Sequence, residues 1–296
     1  MTYENWLPFH FGKAINENKQ SIFSGEARMC GIFGFILKKP LSLKKAFAIL
    51  KKLEASKYPD ENEPVGGYGA GVAIMLPDGD VICEKVGKNG DFPAAQLEEI
   101  MKGKTILNPK LANCSVMIGH VRFPSPENMP TVKFKEAAQP YVENFERDLT
   151  VVSAHNGKVE NCMELRSKLK THVFESEKIG FVDSEVIPHY FGKLLNESET
   201  SDTAAYELLS ALKGSNVAAL LQIDNENATL HLIHRGKARG LTVWSNDRGE
   251  VIFCSRPEPV EEELKSLLAI GKFKEKAVIN WKEDAGLKLS FPAIFE

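Results

Sequence analysis

From residue 30 onward, short apolar runs bounded by Gly, Pro and Asp alternate with stretches whose apolar positions recur every three or four residues. The first pattern predicts strands and the second predicts amphipathic helices. Cys30–Leu37 is the first apolar run. Ser42 then stands as an N-cap before Leu43, Ala46, Phe47, Leu50 and Leu53, which share one helical face. Lys44, Lys45, Lys51 and Lys52 fall on the other side and read as a solvated face. Val72–Leu76 and Val81–Val86 flank Pro77-Asp78-Gly79-Asp80 and predict a hairpin. A helix over Ala94–Lys102, a strand over Ser115–Phe123 and a long loop from Pro126 to Asp148 follow. Loops of that length in compact domains tend to be lids or binding loops.

A β-branched strand begins at Val151, and helices are predicted over Asn161–Lys170 and from Asp183 to about Leu195. Pro188 lies early in the latter, where proline is tolerated. Beyond them come a helix over Asp202–Lys213 and strands over Val217–Ile223, Thr229–His234, Leu241–Trp244 and Glu250–Cys254. A helix over Pro259–Ile270 and a strand-rich stretch Ala277–Phe291 close the pattern. Repeated strands after a mixed first half predict an α+β fold, two antiparallel sheets covered by helices.

Composition narrows the function classes. Lys and Arg total 37 against 40 Asp and Glu in 296 residues, so charge gives no case for nucleic acid or an acidic membrane as a partner. No stretch reaches the ~18 apolar residues of a membrane span. Cys30, Cys83, Cys114, Cys162 and Cys254 are odd in number and widely spaced, which fits a reducing cytoplasm rather than a disulfide framework. The seven histidines are scattered, and His231 and His234 would point to opposite faces of a strand, so no metal site is expected.

Four short stretches carry candidate chemistry. Met29-Cys30-Gly31-Ile32-Phe33-Gly34 places a cysteine directly after a methionine. If Cys30 becomes the mature N-terminus, one residue holds a nucleophilic thiol and an α-amine whose ordinary pKa of ~8 suits it to take the thiol proton. The competing reading is a buried cysteine opening a core strand. Residues 1–28 are polar with isolated aromatics and read as a mis-called start or a pro-peptide, absent from the mature protein. Translation from Met29 with removal of that methionine is the favoured route. Gly66-Gly67-Tyr68-Gly69-Ala70-Gly71 invites a phosphate-loop reading, but it precedes a strand and lacks a following Gly-Lys-Ser/Thr, so close packing is expected.

The second stretch, Gly119-His120-Val121-Arg122-Phe123-Pro124-Ser125, puts an arginine at a strand end, where its planar fork could hold a carboxylate. In the third, His155-Asn156-Gly157 is either a hairpin turn or an amide and a backbone N–H aimed at one oxyanion. Asp183-Ser184-Glu185 is the fourth, where Asp183 could be simply an N-cap.

The ordered set Cys-Gly-Ile, Gly-His-x-Arg-Phe, His-Asn-Gly and Asp-Ser-Glu, spread over about 155 residues, resembles the class II glutamine amidotransferases. Ala138-Gln139-Pro140-Tyr141 is similar to that family's approach to the Asn-Gly strand, and Arg122-Phe123-Pro124 is closest to the glutaminase part of glutamate synthases. Ser125 stands where many relatives carry threonine. The resemblance implies a four-layer αββα sandwich over residues 30–296 and needs no cofactor. It implies that Cys30 attacks the side-chain amide of glutamine, with Asn156 and Gly157 holding the oxyanion. It also implies that Arg122 clamps the substrate α-carboxylate, Asp183 pairs with its α-ammonium, and Phe123 and Ser125 complete the pocket. His120 and His155 are expected to hydrogen-bond behind the site.

About 110 residues follow Glu185, and a synthase domain ordinarily needs ~100–200 residues beyond those that finish the sandwich. The expected reading is therefore a glutaminase that supplies ammonia to a separate synthase, possibly one of glutamate-synthase type with flavin and iron–sulfur groups. Two alternatives stand beside it: a stand-alone γ-glutamyl amide hydrolase, and a silent glutamine-binding module if Cys30 never acquires a free amine.

Overall fold

The computed structural model describes residues 30–59, 61–146, 148–224, 227–238, 240–278 and 287–293. The upstream segment and part of the predicted 277–291 stretch lie outside these. The chain opens with β1 (Gly31–Ser42) and α1 (Leu43–Ala55), then β2 (Gly69–Met75), β3 (Val81–Gly87), α2 (Pro93–Leu107) and β4 (Asn113–Val121). It continues through β5 (Tyr141–Asn144), β6 (Leu149–Gly157), α3 (Cys162–Ser167), α4 (Val186–Glu197) and α5 (Ser201–Ala211). The last elements are β7 (Asn216–Asp224), β8 (Asn227–Arg235), β9 (Thr242–Ser245), β10 (Val251–Cys254), α6 (Glu258–Ile270), β11 (Lys274–Val278) and β12 (Leu287–Ala293).

The strands form two antiparallel sheets, one ordered β11-β9-β10-β1-β4-β2-β3 and the other β12-β8-β7-β6-β5. Alternation along each strand sends one set of side chains inward and the other outward. Ile32, Ile118, Val243 and Phe253 of the first sheet meet Val152, Val217, Ala219 and Leu232 of the second in a shared core. Phe33, Phe35 and Val72 point the other way, onto Phe47 and Leu50 of α1 and Leu97 of α2. Val151, Ala218 and Leu220 pack likewise against Ile187 and Phe191 of α4 and Leu208 of α5. The result is the four-layer αββα sandwich implied by the resemblance.

Local signals act as their chemistry requires. Ser42 caps α1 by accepting from the Lys45 N–H. The glycine run serves close packing, since a Cβ on Gly71 would lie 2.2 Å from the Gln139 carbonyl oxygen. His231 packs on Phe191 while His234 bonds the Ala238 carbonyl, on opposite faces of β8. The stretch after Ser125 is not an open loop. It holds 3₁₀ turns at Pro126–Thr131 and Lys135–Ala137 and then β5, because Ala137 and Tyr141 bury against Val182.

Glu54 departs from the solvated side of α1. It is 3% exposed and accepts the Ala94 N–H at the start of α2. Burial pushes its pKa up to about 7. The folded state therefore favours the neutral carboxyl. That stabilisation is fully present below the unfolded pKa near 4.5 and is lost as pH rises through about 7. Unfolding free energy should fall by about 3 kcal/mol across this window, and Glu54→Gln should flatten the fall. Denaturant melts on either side of the window check this.

Candidate active site

The site forms where the ends of β1, β4 and β6 meet the turn that precedes α4. Antiparallel pairing of β1 with β4 sets Gly31 opposite Val121, so Cys30 comes level with Arg122 and Phe123. The Cys30 thiol lies between two groups of the Phe123 backbone: the N–H donates to Sγ and the carbonyl accepts from it, each at 3.2 Å. Burial pushes the thiol pKa up, opposed by the Phe123 backbone and the Arg122 charge. At neutral pH the thiol therefore keeps its proton.

Arg122 is buried, 4% exposed, one residue past β4. Its guanidinium donates to the Thr131 hydroxyl at 2.7 Å and the Thr131 carbonyl at 3.4 Å. Among the described residues no carboxylate forms an ion pair with it, although the Asp183 charge acts on it. Phe123 packs edge-on against Tyr68, and the Ser125 hydroxyl accepts from the Asn128 amide at 3.0 Å.

Asn156 and Gly157 end β6 rather than forming a hairpin turn, because pairing with β7 runs through Gly157. Gly157 has φ 121°, and a Cβ there would lie 2.0 Å from the Ser215 carbonyl oxygen, so only glycine fits without displacement. The Asn156 amide donates to the Ser255 hydroxyl at 3.0 Å, and its own oxygen is buried without a partner among the described residues. The same Ser255 hydroxyl accepts the Ile32 N–H at 2.9 Å. One hydroxyl thus ties the Asn-Gly strand end of one sheet to the cysteine end of the other.

Asp183 is not an N-cap. It opens a 3₁₀ turn, Asp183–Glu185, and its carboxylate accepts the Val159 N–H at 2.7 Å. From there its charge reaches Cys30, Arg122 and His155. Cys30, Arg122, Phe123 and Asp183 are therefore brought together, with Asn156 joined to them through Ser255.

The two motif histidines part company. His155 is bonded on both ring nitrogens, to the Ser184 hydroxyl and the Asn216 amide oxygen, each at 2.9 Å. Gln139 accepts the His155 N–H at 2.7 Å and donates to its carbonyl at 3.0 Å, bracing the strand. His120 lies fully buried behind the site, where a hydrogen bond with the His155 backbone acts on its ring. Burial pushes its pKa down to about 3, so it is a neutral packed ring. Thr131, Asn216 and Ser255 carry no signal along the chain, as each becomes a neighbour only across the folded layers. Gln139 was visible through Ala138-Gln139-Pro140-Tyr141.

A family model described as a glutamine amidotransferase domain matches residues 127–262, which include Asn156, Gly157, Asp183 and Ser255. The chain is 29% identical over 67% of its length to the glutamine–fructose-6-phosphate aminotransferase (isomerizing) of Geobacillus kaustophilus. It is 31% identical over 67% of its length to the enzyme of that name from Aquifex aeolicus. It spans 28% of the length of each. Among solved structures, the glutamine phosphoribosylpyrophosphate amidotransferase of B. subtilis aligns with TM-score 0.54 at 18% identity, over 79% of this chain and 43% of that one. A structure described as the allosteric regulatory enzyme of purine biosynthesis aligns with TM-score 0.57 at 17% identity, over 90% of this chain and 49% of that one. These likenesses fix the fold.

Proposed function

We propose that this chain, a class II glutamine amidotransferase, hydrolyses the side-chain amide of glutamine at Cys30 and supplies the ammonia to a separate synthase. The observation that carries the reading is the placement of the Cys30 thiol on the Phe123 backbone, in reach of the opposite charges of Arg122 and Asp183. A guanidinium and a carboxylate facing one nucleophile suit a substrate with its own carboxylate and ammonium, a free amino acid.

In the proposed reaction residues 30–296 form the enzyme and Cys30 is the mature N-terminus. Its α-amine takes the Sγ–H proton as Sγ adds to the amide carbon. The oxygen becomes an oxyanion held by the Asn156 amide and the Gly157 N–H, each such donor being worth ~10²–10³ in rate. The amine returns the proton to the departing nitrogen, the C–N bond breaks, and ammonia leaves behind a γ-glutamyl thioester. Water then cleaves the thioester to glutamate and free thiol. Arg122 holds the α-carboxylate, Asp183 the α-ammonium, and Phe123 and Ser125 line the pocket. A raised thiol pKa suits this scheme because an uncharged S–H needs a base, and His155 is fully engaged elsewhere.

The ammonia acceptor is proposed by analogy. The relatives' names pair glutamine with a second substrate, and Arg122-Phe123-Pro124 favours a synthase of glutamate-synthase type. A cytoplasmic setting accords with the scattered cysteines, and among the described residues no helix is long and apolar enough to cross a membrane. Ammonia needs only a narrow exit, so glutamine should be preferred over γ-glutamyl amides with bulky leaving amines. Steady-state kcat/KM for glutamine against a γ-glutamyl-anilide series checks this. Efficient use of the bulky series with poor use of glutamine would support a stand-alone hydrolase instead.

A further inference from the structure

We infer that Glu143, His172 and His189 form a binding site for a divalent metal ion of the zinc class. The histidines are scattered along the sequence, but folding brings these three ligands together from β5, from the segment after α3 and from α4. His172 Nδ1 and His189 Nδ1 lie 3.0 Å apart. Glu143 Oε1 lies 3.3 Å from the second and 3.8 Å from the first.

An ion held at ~2.0–2.2 Å by nitrogen and carboxylate oxygen in tetrahedral geometry keeps its donors roughly 3.3–3.5 Å apart. The three observed separations bracket that edge length. Two imidazole nitrogens and one carboxylate oxygen are a donor set suited to zinc and its neighbours. All three donor atoms lie within 4.8 Å of one another, the compactness a single ion requires of its ligands.

The surroundings strengthen the reading. On the far side of the His189 ring, Nε2 faces Glu185 Oε1 at 4.0 Å. Metal-bound histidines characteristically direct their second nitrogen toward a carboxylate, which fixes the tautomer that leaves Nδ1 free for the metal. Glu185 is itself fixed, accepting from the Ser176 N–H at 2.9 Å, the Ser176 hydroxyl and the Glu175 N–H. The Phe174 ring covers His189, with centroids 4.2 Å apart. Side chains of His172 and Glu143 are 18% and 24% exposed, which leaves an entry path and room for water as a fourth ligand. The ion would pin β5 to α4, whose preceding turn carries Asp183. Its role is to hold elements in place.

The test uses the full chain, tag-free and stripped with a chelator, titrated with Co²⁺ and then with Zn²⁺ in competition. One Co²⁺ per chain should bind with the visible absorption of a tetrahedral nitrogen–oxygen site, and Zn²⁺ should displace it. His172→Ala and Glu143→Gln alter partly exposed side chains and should fold with metal-free melting close to the parent. Each should weaken binding at least about tenfold. Glu185→Gln should weaken it by ~10–100-fold while leaving the ligands intact. Absence of uptake at micromolar metal would overturn the site and leave a hydrogen-bonded cluster only. Uptake undiminished in both ligand variants, or a thiolate charge-transfer band, would overturn it by placing the ion elsewhere. None of these readouts depends on glutamine turnover.

Discussion

Cys30→Ala should abolish glutamine hydrolysis, lowering kcat by on the order of 10⁴-fold or more, because the bond-forming atom itself is removed. The same change at Cys83, Cys114, Cys162 or Cys254 should leave turnover within a few-fold of the parent and act, if at all, on stability. The contrast follows from the surroundings of each thiol. Burial lifts Cys83 to about 11 and Cys114 and Cys254 to about 12. Cys162 is also raised by burial, with the Asp183 charge adding to the effect. Lowering influences also act at Cys83, Cys162 and Cys254, so what sets Cys30 apart is its place beside both Arg122 and Asp183. Ammonia release assayed on each purified variant checks the prediction. Turnover that survives Cys30→Ala while failing in another cysteine variant would move the nucleophile.

The second large effect falls on Arg122 and Asp183. Arg122→Ala and Asp183→Asn should each lower kcat/KM for glutamine at least ~30-fold, chiefly through KM, since loss of one partner in a desolvated charge pair typically costs ~2–5 kcal/mol. Asn at position 183 can still accept the Val159 N–H, so its variant isolates the charge. Arg122 also holds Thr131, and its removal should in addition loosen the Pro126–Thr131 turn. Melting each variant beside the kinetics separates the two effects. Unchanged KM in a stably folded Asp183→Asn protein would remove Asp183 from substrate binding.

Much of this was legible along the chain, and the gaps have physical causes. Alternating and three-to-four-residue periodicities located the strands and helices because each face packs on a core. Ser42 and the glycine run could be read because capping and close approach are local requirements. The four motifs gave Cys30, Arg122, Asn156, Gly157 and Asp183 as candidates, and the fold gathers Cys30, Arg122 and Asp183 within mutual electrostatic reach. Ser255 and Thr131 stayed hidden because their value lies in one hydroxyl meeting a distant strand or loop. Asp183 looked like an N-cap because its partner, the Val159 N–H, is 24 residues away in sequence. His120 sits in a motif near a charged residue, yet its burial beside the His155 backbone is a property of packing. The 126–148 stretch carries Pro130 and Pro140 and so reads as loop, whereas β5 forms through its pairing with β6.

The central claim is that Cys30 acts as an N-terminal nucleophile. Intact-mass analysis of the protein from its native host, before and after reaction with a γ-electrophilic glutamine analogue, tests it most directly. The account predicts a chain that begins at Cys30 and gains a single adduct mapped to that residue. A protein that retains residues 1–28 and still turns over glutamine, or an adduct on another cysteine with Cys30 untouched, would contradict it.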